Sequence, residues 1–305
     1  MSFSLRFADP SDAEALHGVI HDAFSSRPPI DPPAAALSDT PESIRAALAD
    51  GYGVVVELDG VPIAGLLVAV DGDTATLKRV SVLPSAAGSG VGVQMVAATV
   101  QALADLGLRE VQAFARKEFP HNIAWWERAG FREQRRAEHG VILARALPVA
   151  VEVPDADAMR RLGGKLAHVL RAGDVIVATG ELGAGKTTLT QGIGEGLDVK
   201  GAVISPTFVL SRIHESRGAG PNLVHVDAYR LASAGELADI DLQDTQPTSV
   251  TLIEWGRGLA EWLSDEPLDI DIRRSDDPAD DQRTVYLAGV GPRWDGVLDQ
   301  FREFE

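Results

Sequence analysis

The chain has 305 residues, is 45% hydrophobic and 24% charged, and carries a net charge of −17. That length suggests two domains of an ordinary soluble protein, each with enough chain for its own core. Cysteine is absent, which excludes disulfides, thiolate metal sites and cysteine nucleophiles. Residues 1–6 lack a signal peptide's apolar core and no apolar run is long enough to span a bilayer, so a cytoplasmic protein without membrane association is expected.

In chain order, the Pro-rich stretch at 27–33 predicts a stiff surface loop. Residues 79–84 predict a strand. The turn Gly88-Ser89-Gly90-Val91-Gly92 follows, and then a helix from Val93 to about Leu106. Backbone N–H groups in such a turn can hold a pyrophosphate. Further on comes Asn122-Ile123-Ala124-Trp125-Trp126-Glu127-Arg128-Ala129-Gly130-Phe131. Together these two segments resemble the GNAT N-acetyltransferase family. The resemblance implies an α+β fold over residues 1–147 that grips acetyl-CoA, with Gly88, Gly90 and Gly92 at its pyrophosphate. The catalytic pattern departs from the family. Ala87 stands where Arg or Gln is usual. Trp126 fills the place of a Tyr general acid and has no acidic hydroxyl. Lys78 and Arg79 occupy the strand where a carboxylate sometimes sits, which leaves Glu57 and Glu118 as unsupported candidates for a base. Trp125 and Trp126 read as core packing and His121 as a loop residue. Acyl-CoA binding is expected ahead of acyl transfer, and the acceptor is left open.

The boundary falls near Leu147-Pro148, between a strand over residues 141–147 and another over 149–153. Residues 148–305 then alternate strands and helices, the pattern of an α/β domain. Asp157 is expected to cap a helix whose apolar face is Met159, Leu162, Leu166 and Val169. Residues 174–179 read as a buried strand entering Gly180-Glu181-Leu182-Gly183-Ala184-Gly185-Lys186-Thr187-Thr188. This fits G-x-x-x-x-G-K-[ST], the phosphate-binding loop of nucleotide triphosphatases. Glu181 to Thr188 would wrap the phosphates, Lys186 would reach the β- and γ-phosphates, and Thr187 would ligate Mg²⁺. The helix from Lys186 to about Gly196 presents its positive end to them. A strand over 223–226 ends at Asp227 and one over 250–253 ends at Glu254. Ligands of open α/β sheets bind beyond such ends, so both acids are candidate metal ligands and catalytic groups. Residues 268–272 and 284–287 read as a later hairpin.

The flanking residues Ser205-Pro206-Thr207-Phe208-Val209-Leu210, His225-Val226-Asp227-Ala228-Tyr229-Arg230-Leu231 and Leu252-Ile253-Glu254-Trp255, with the phosphate loop, resemble the bacterial TsaE family. That family is the ATPase subunit for threonylcarbamoyladenosine synthesis in tRNA. The resemblance implies a small P-loop fold that binds ATP and Mg²⁺, and docking on TsaB-like and TsaD-like subunits. Position by position, it implies Lys186 at phosphate, Thr187 at Mg²⁺ and Thr207 near the γ-phosphate. Asp227 becomes the second acid, Glu254 the metal-linked catalytic acid, and Trp255 lies beside the nucleotide or in the core. Gly256-Arg257 after the Trp departs from the family pattern. The N-terminal half carries 13 basic and 18 acidic side chains and the C-terminal half 15 and 27, net −5 and −12. Such acidity repels nucleic acid over any broad area, so tRNA is expected mainly through partners, although acidity also serves solubility. Two other readings stay open: a small-molecule P-loop kinase, for which Arg257, Arg273 and Arg274 form no clustered lid, and a non-enzymatic scaffold that senses acyl-CoA and docks partners.

Overall fold

Strands rich in Val, Ile and Leu alternate with helices that each carry one apolar stripe, and they build two sheets, each covered on both faces. The computed structural model describes residues 3–206, 209–275, 277 and 280–304. The chain divides into two compact units, Met1–Leu147 and Pro148–Glu305.

The first unit comprises β1 (Phe3–Phe7), α1 (Ala13–Ser25), α2 (Pro41–Asp50), β2 (Tyr52–Leu58), β3 (Val61–Asp71), β4 (Thr74–Val82), α3 (Val91–Asp105), β5 (Glu110–Arg116), α4 (Pro120–Arg128), β6 (Arg132–Ala137) and β7 (Gly140–Ala146). Its sheet runs β1-β2-β3-β4-β5-β7-β6. All pairs are antiparallel except β4 with β5. That parallel pairing stops at Leu77 and Ala113, while β4 continues along β3 to Val82 and β5 along β7 to Arg116. The two strands therefore part company in mid-sheet. Arg79, just beyond the last pair, is left-handed at φ 56°, opposite a register shift in β3. Alternation along the strands sends Val54, Val56, Leu66 and Leu77 to the α3 and α4 side, and Val55 and Leu67 to the α1 and α2 side. His121 lies in the first turn of α4 rather than in a loop.

The second unit comprises β8 (Val149–Val153), α5 (Ala156–Ala167), β9 (Val175–Gly180), α6 (Lys186–Gly196), β10 (Ser211–His214), β11 (Asn222–Asp227), α7 (Ala234–Ala238), α8 (Leu242–Thr245), β12 (Ser249–Glu254), β13 (Leu268–Arg274) and β14 (Arg283–Gly289). The sheet order is β10-β11-β12-β9-β13-β14-β8. The four central strands are parallel and the outer ones antiparallel, with β13 and β14 forming the expected hairpin. The cap of α5 is Asp155, not Asp157. The Asp155 carboxylate accepts from Ala158 N at 2.7 Å, and Asp157 sits within the first turn, where it serves the helix dipole. Met159, Leu162 and Leu166 are buried as the periodicity requires. Helices α5 and α6 meet at glycines. A Cβ on Gly163 would strike the Leu189 carbonyl oxygen, and one on Gly192 the Arg160 carbonyl oxygen. This contact holds the start of α6 against the core.

Candidate functional site

Residues Asp227, Glu254 and Ala178 are register neighbours at the carboxyl ends of β11, β12 and β9. Their row lies where the order of the parallel strands reverses about β9, the usual place for a ligand in an open α/β sheet. The loop after β9 turns through Gly183 (φ 78°) and Gly185 (φ 113°), and Gly185 is the N-cap of α6. An L side chain is strained in that left-handed cap, so only glycine lets the loop close over a ligand at low cost. Ala184 is fully buried beneath the loop, while Glu181, Leu182 and Gly183 are exposed at its crest. Gly185 and Thr188 are half-buried at the helix start.

Lys186, 5% exposed, bends back over the loop and donates from Nζ to the carbonyl oxygens of Gly180 at 2.7 Å and Glu181 at 3.0 Å. Burial pushes its ammonium below the usual lysine range, and Glu254 and Asp227 pull it back up. An arriving phosphate would reinforce the charged form. The Trp255 ring lies 4.1 Å from Lys186 Nζ and packs edge-on against Tyr229 at 5.4 Å. Trp255 is left-handed at φ 63°, and its N–H donates to Ala178 O at 3.0 Å. A bulky residue in that region is strained, and such strain clusters at functional sites.

Thr187 donates its hydroxyl to Glu254 Oε1 at 3.0 Å. The same oxygen lies 2.9 Å from His225 Nε2. Asp227, 7% exposed, accepts at Oδ1 from Tyr229 N at 3.1 Å and at Oδ2 from Ser205 Oγ at 3.5 Å. Ser205 begins the segment that includes Thr207, which lies outside the described residues. His225, 0% exposed, joins the site although the motif around it assigns it no role. The signal for it was present: a polar residue two before Asp227 on a buried strand must share its face.

Among the described residues no group of three His, Cys, Asp or Glu side chains is placed to hold a metal by itself. Thr187, Glu254 and Asp227 offer a hydroxyl and two carboxylates. That set suits Mg²⁺, which keeps several waters and binds through one or two carboxylates plus a substrate's phosphates.

The first unit has a second strand, glycine turn and helix. Gly88 and Gly90 are left-handed at φ 78° and 83°, and Gly90 is the N-cap of α3. Gly92, inside the first turn of α3, faces Val82 and Trp125, where a Cβ would sit 3.2 Å from Val82 Cγ2. Trp126 is buried, its ring edge-on to Trp125 at 4.8 Å and to Phe131 at 4.7 Å. Glu57 pairs with Arg6 at 2.9 Å and Glu118 with Arg116 at 3.0 Å. The Arg116 hydrogen bond holds the Glu118 carboxyl below its ordinary range, which makes it a poorer base. Arg79 is bound to Asp39 at 2.5 Å.

Fold and site together define a P-loop α/β unit preceded by a GNAT-type α+β unit. The model of the family described as threonylcarbamoyl adenosine biosynthesis protein TsaE matches residues 153–285, and that of the acetyltransferase (GNAT) family matches residues 19–131. A TsaE protein of Streptomyces coelicolor is 54% identical over 138 residues, 45% of this chain and 93% of the relative. One of Mycobacterium leprae is 49% identical over 120 residues, 37% of this chain and 74% of the relative. The chain belongs to the TsaE family through its C-terminal unit. A PaiA N-acetyltransferase of Thermoplasma acidophilum, solved with coenzyme A, aligns at TM-score 0.43 and 14% identity, covering 48% of this chain and 99% of that one.

Proposed function

We propose that the C-terminal unit is a Mg²⁺-dependent ATPase that supports threonylcarbamoyladenosine formation in tRNA, and that it works docked on TsaB-like and TsaD-like subunits. The single observation that carries this is the convergence of Thr187 and Glu254, at 3.0 Å, beside a glycine loop that ends in the buried Lys186. Family membership supports the process in which it acts.

ATP would lie along residues 181–188, with backbone N–H groups and the start of α6 facing its phosphates. Lys186 would exchange the carbonyls of Gly180 and Glu181 for phosphate oxygens. Thr187, Glu254 and Asp227 would hold Mg²⁺, which when bound neutralises charge between the β- and γ-phosphates. Glu254 orients water near the γ-phosphate, and Asp227 ties the site to the segment around Ser205. Trp255 shields Lys186 from solvent. The N-terminal unit binds acetyl-CoA at Gly88, Gly90 and Gly92, and its acyl transfer is weak because position 126 is packed into the core and Glu57 and Glu118 are held by arginines.

The test is ATP hydrolysis by the full chain with and without the TsaB-like and TsaD-like pair. Phosphate release that needs no small-molecule acceptor and changes with the pair is expected. Transfer of the γ-phosphate to a small molecule would favour a kinase, and nucleotide binding without turnover even with the pair would favour a scaffold. A second arm is tRNA binding: the net −12 of residues 148–305 predicts weak or no binding by the chain alone. Submicromolar binding at physiological salt would overturn that.

A further inference from the structure

We infer that His225 is a positioning residue that fixes the Glu254 carboxylate for the metal, an inference that rests on the ATPase reading above. The two side chains lie on the face of the sheet that carries α6. His225 and Asp227 are two apart on β11, and Leu252 and Glu254 two apart on β12. Their register pairs are His225 with Leu252 and Asp227 with Glu254. The imidazole therefore reaches Glu254 diagonally across adjacent strands. It does so at full burial, with Nε2 2.9 Å from Oε1.

Glu254 Oε1 thus meets two donors, the Thr187 hydroxyl at 3.0 Å and His225. Oε2 has no hydrogen-bond partner among the described residues. A carboxylate only accepts, so the hydrogen-bond network assigns a hydrogen to His225 Nε2. Nδ1 is buried with no partner among the described residues, so it carries none. A donor left unpaired there would be costly. His225 thereby holds Oε1 to one side and leaves Oε2 for the metal. Groups that act this way behind a ligating carboxylate typically contribute 10- to 100-fold in metal affinity or activity, an effect of about that size being expected here.

The full chain serves for the test, with His225→Phe, which removes the donor, and His225→Gln, whose side-chain amide restores one. Nucleotide binding is followed with a fluorescent ADP analogue, in EDTA and across a Mg²⁺ titration, beside steady-state ATP turnover. In His225→Phe, affinity in EDTA stays at the wild-type level, while turnover falls and the Mg²⁺ needed rises, each by about 10- to 100-fold. His225→Gln recovers much of both. Independently of any variant's folding, the wild-type chain labelled with ¹⁵N-histidine should show His225 as the Nε2–H tautomer, identified by its loss in His225→Gln.

A folded His225→Phe chain with wild-type Mg²⁺ dependence would overturn the inference. So would a hydrogen found on Nδ1, or a His225→Gln chain no better than His225→Phe, which would mark a packing role only. A wild-type chain that binds no nucleotide would instead remove the ATPase reading and the inference with it, a result distinct from all of these.

Discussion

Each unit sends a strand into a glycine turn and then into a helix whose N-cap is a left-handed glycine, Gly90 at φ 83° and Gly185 at φ 113°. In backbone conformation the two turns are alike. They differ in the side chains that converge on them. Around Gly185 stand Lys186, donating to the carbonyls of Gly180 and Glu181, and the trio Thr187, Glu254 and, behind Glu254, His225, joined at Glu254 Oε1 by contacts of 3.0 Å and 2.9 Å. In the first unit the candidate bases are committed elsewhere, Glu57 to Arg6 and Glu118 to Arg116, while Trp126 packs in the core and Arg79 binds Asp39. Gripping a phosphate needs only backbone N–H groups and the helix start. Chemistry needs charged side chains brought together at strand ends, and among the described residues the second unit does this with Asp227 and Glu254.

The sharpest way to break this contrast is Glu254→Gln. It keeps the side-chain shape and removes the charge, so ATP turnover should fall by about 10²–10⁴ with nucleotide binding in EDTA retained. A variant that turns over ATP at the wild-type rate would take Glu254 out of the chemistry. Next, Lys186→Ala should weaken ATP binding by roughly tenfold to a thousandfold, the range for a partly buried charge-assisted contact to phosphate. Calorimetry with a non-hydrolysable ATP analogue measures it, and near-wild-type affinity would sink the loop assignment.

The first unit invites the reverse experiment. Trp126→Ala should cost about 3–5 kcal/mol of that unit's stability, because it empties a packed aromatic site between Trp125 and Phe131. Trp126→Tyr should keep most of the stability and leave acetyl transfer low, since the hydroxyl would enter a buried ring cluster rather than a reactive cleft. Denaturant unfolding reads the stability, and acetyl-CoA calorimetry beside a screen of amine and peptide acceptors reads binding and transfer. Robust transfer by the wild-type chain would erase the difference between the units, and absence of CoA binding would reduce the first to a docking module.

Local signals foretold the strands that end at Asp227 and Glu254, the helix from Lys186 and the hairpin of β13 with β14, because each is a short-range pattern of apolar residues closed by a turn. Other features depend on partners distant in sequence. Asp155 and Asp157 offer the same carboxylate to the start of α5, and only the backbone geometry decides that Asp155 bonds Ala158 N. The left-handed turn at Trp255 follows from its bond to Ala178, 77 positions earlier in the chain, which no window of sequence contains. His225 was visible as part of a motif, but its contact to Glu254 depends on the parallel pairing of β11 with β12. In the first unit the glycine turn was legible, whereas the parting of β4 from β5 after Leu77 and the left-handed Arg79 were not, since both arise from registers with two neighbouring strands.

The smallest expected effect separates the units by acid sensitivity. The buried histidines among the described residues, His214 and His225, both belong to the second unit. Burial pushes the His214 imidazole below its ordinary value, Arg212 adds to that, and Nε2 has no partner among the described residues to offset it. The unfolded chain, with a histidine pKa of about 6.5, therefore binds a proton at a pH where the native unit does not. Stability from this group is present above about pH 6.5 and is lost as pH falls from there through the lower native value. Hydrogen exchange compared between about pH 7.5 and about pH 5.5 should show loosening around β10 and β11, with the sheet of the first unit less affected. His214→Phe should flatten that slope in the second unit. An equal slope in the variant, or loosening confined to the first unit, would show that His214 is not the origin of the acid sensitivity.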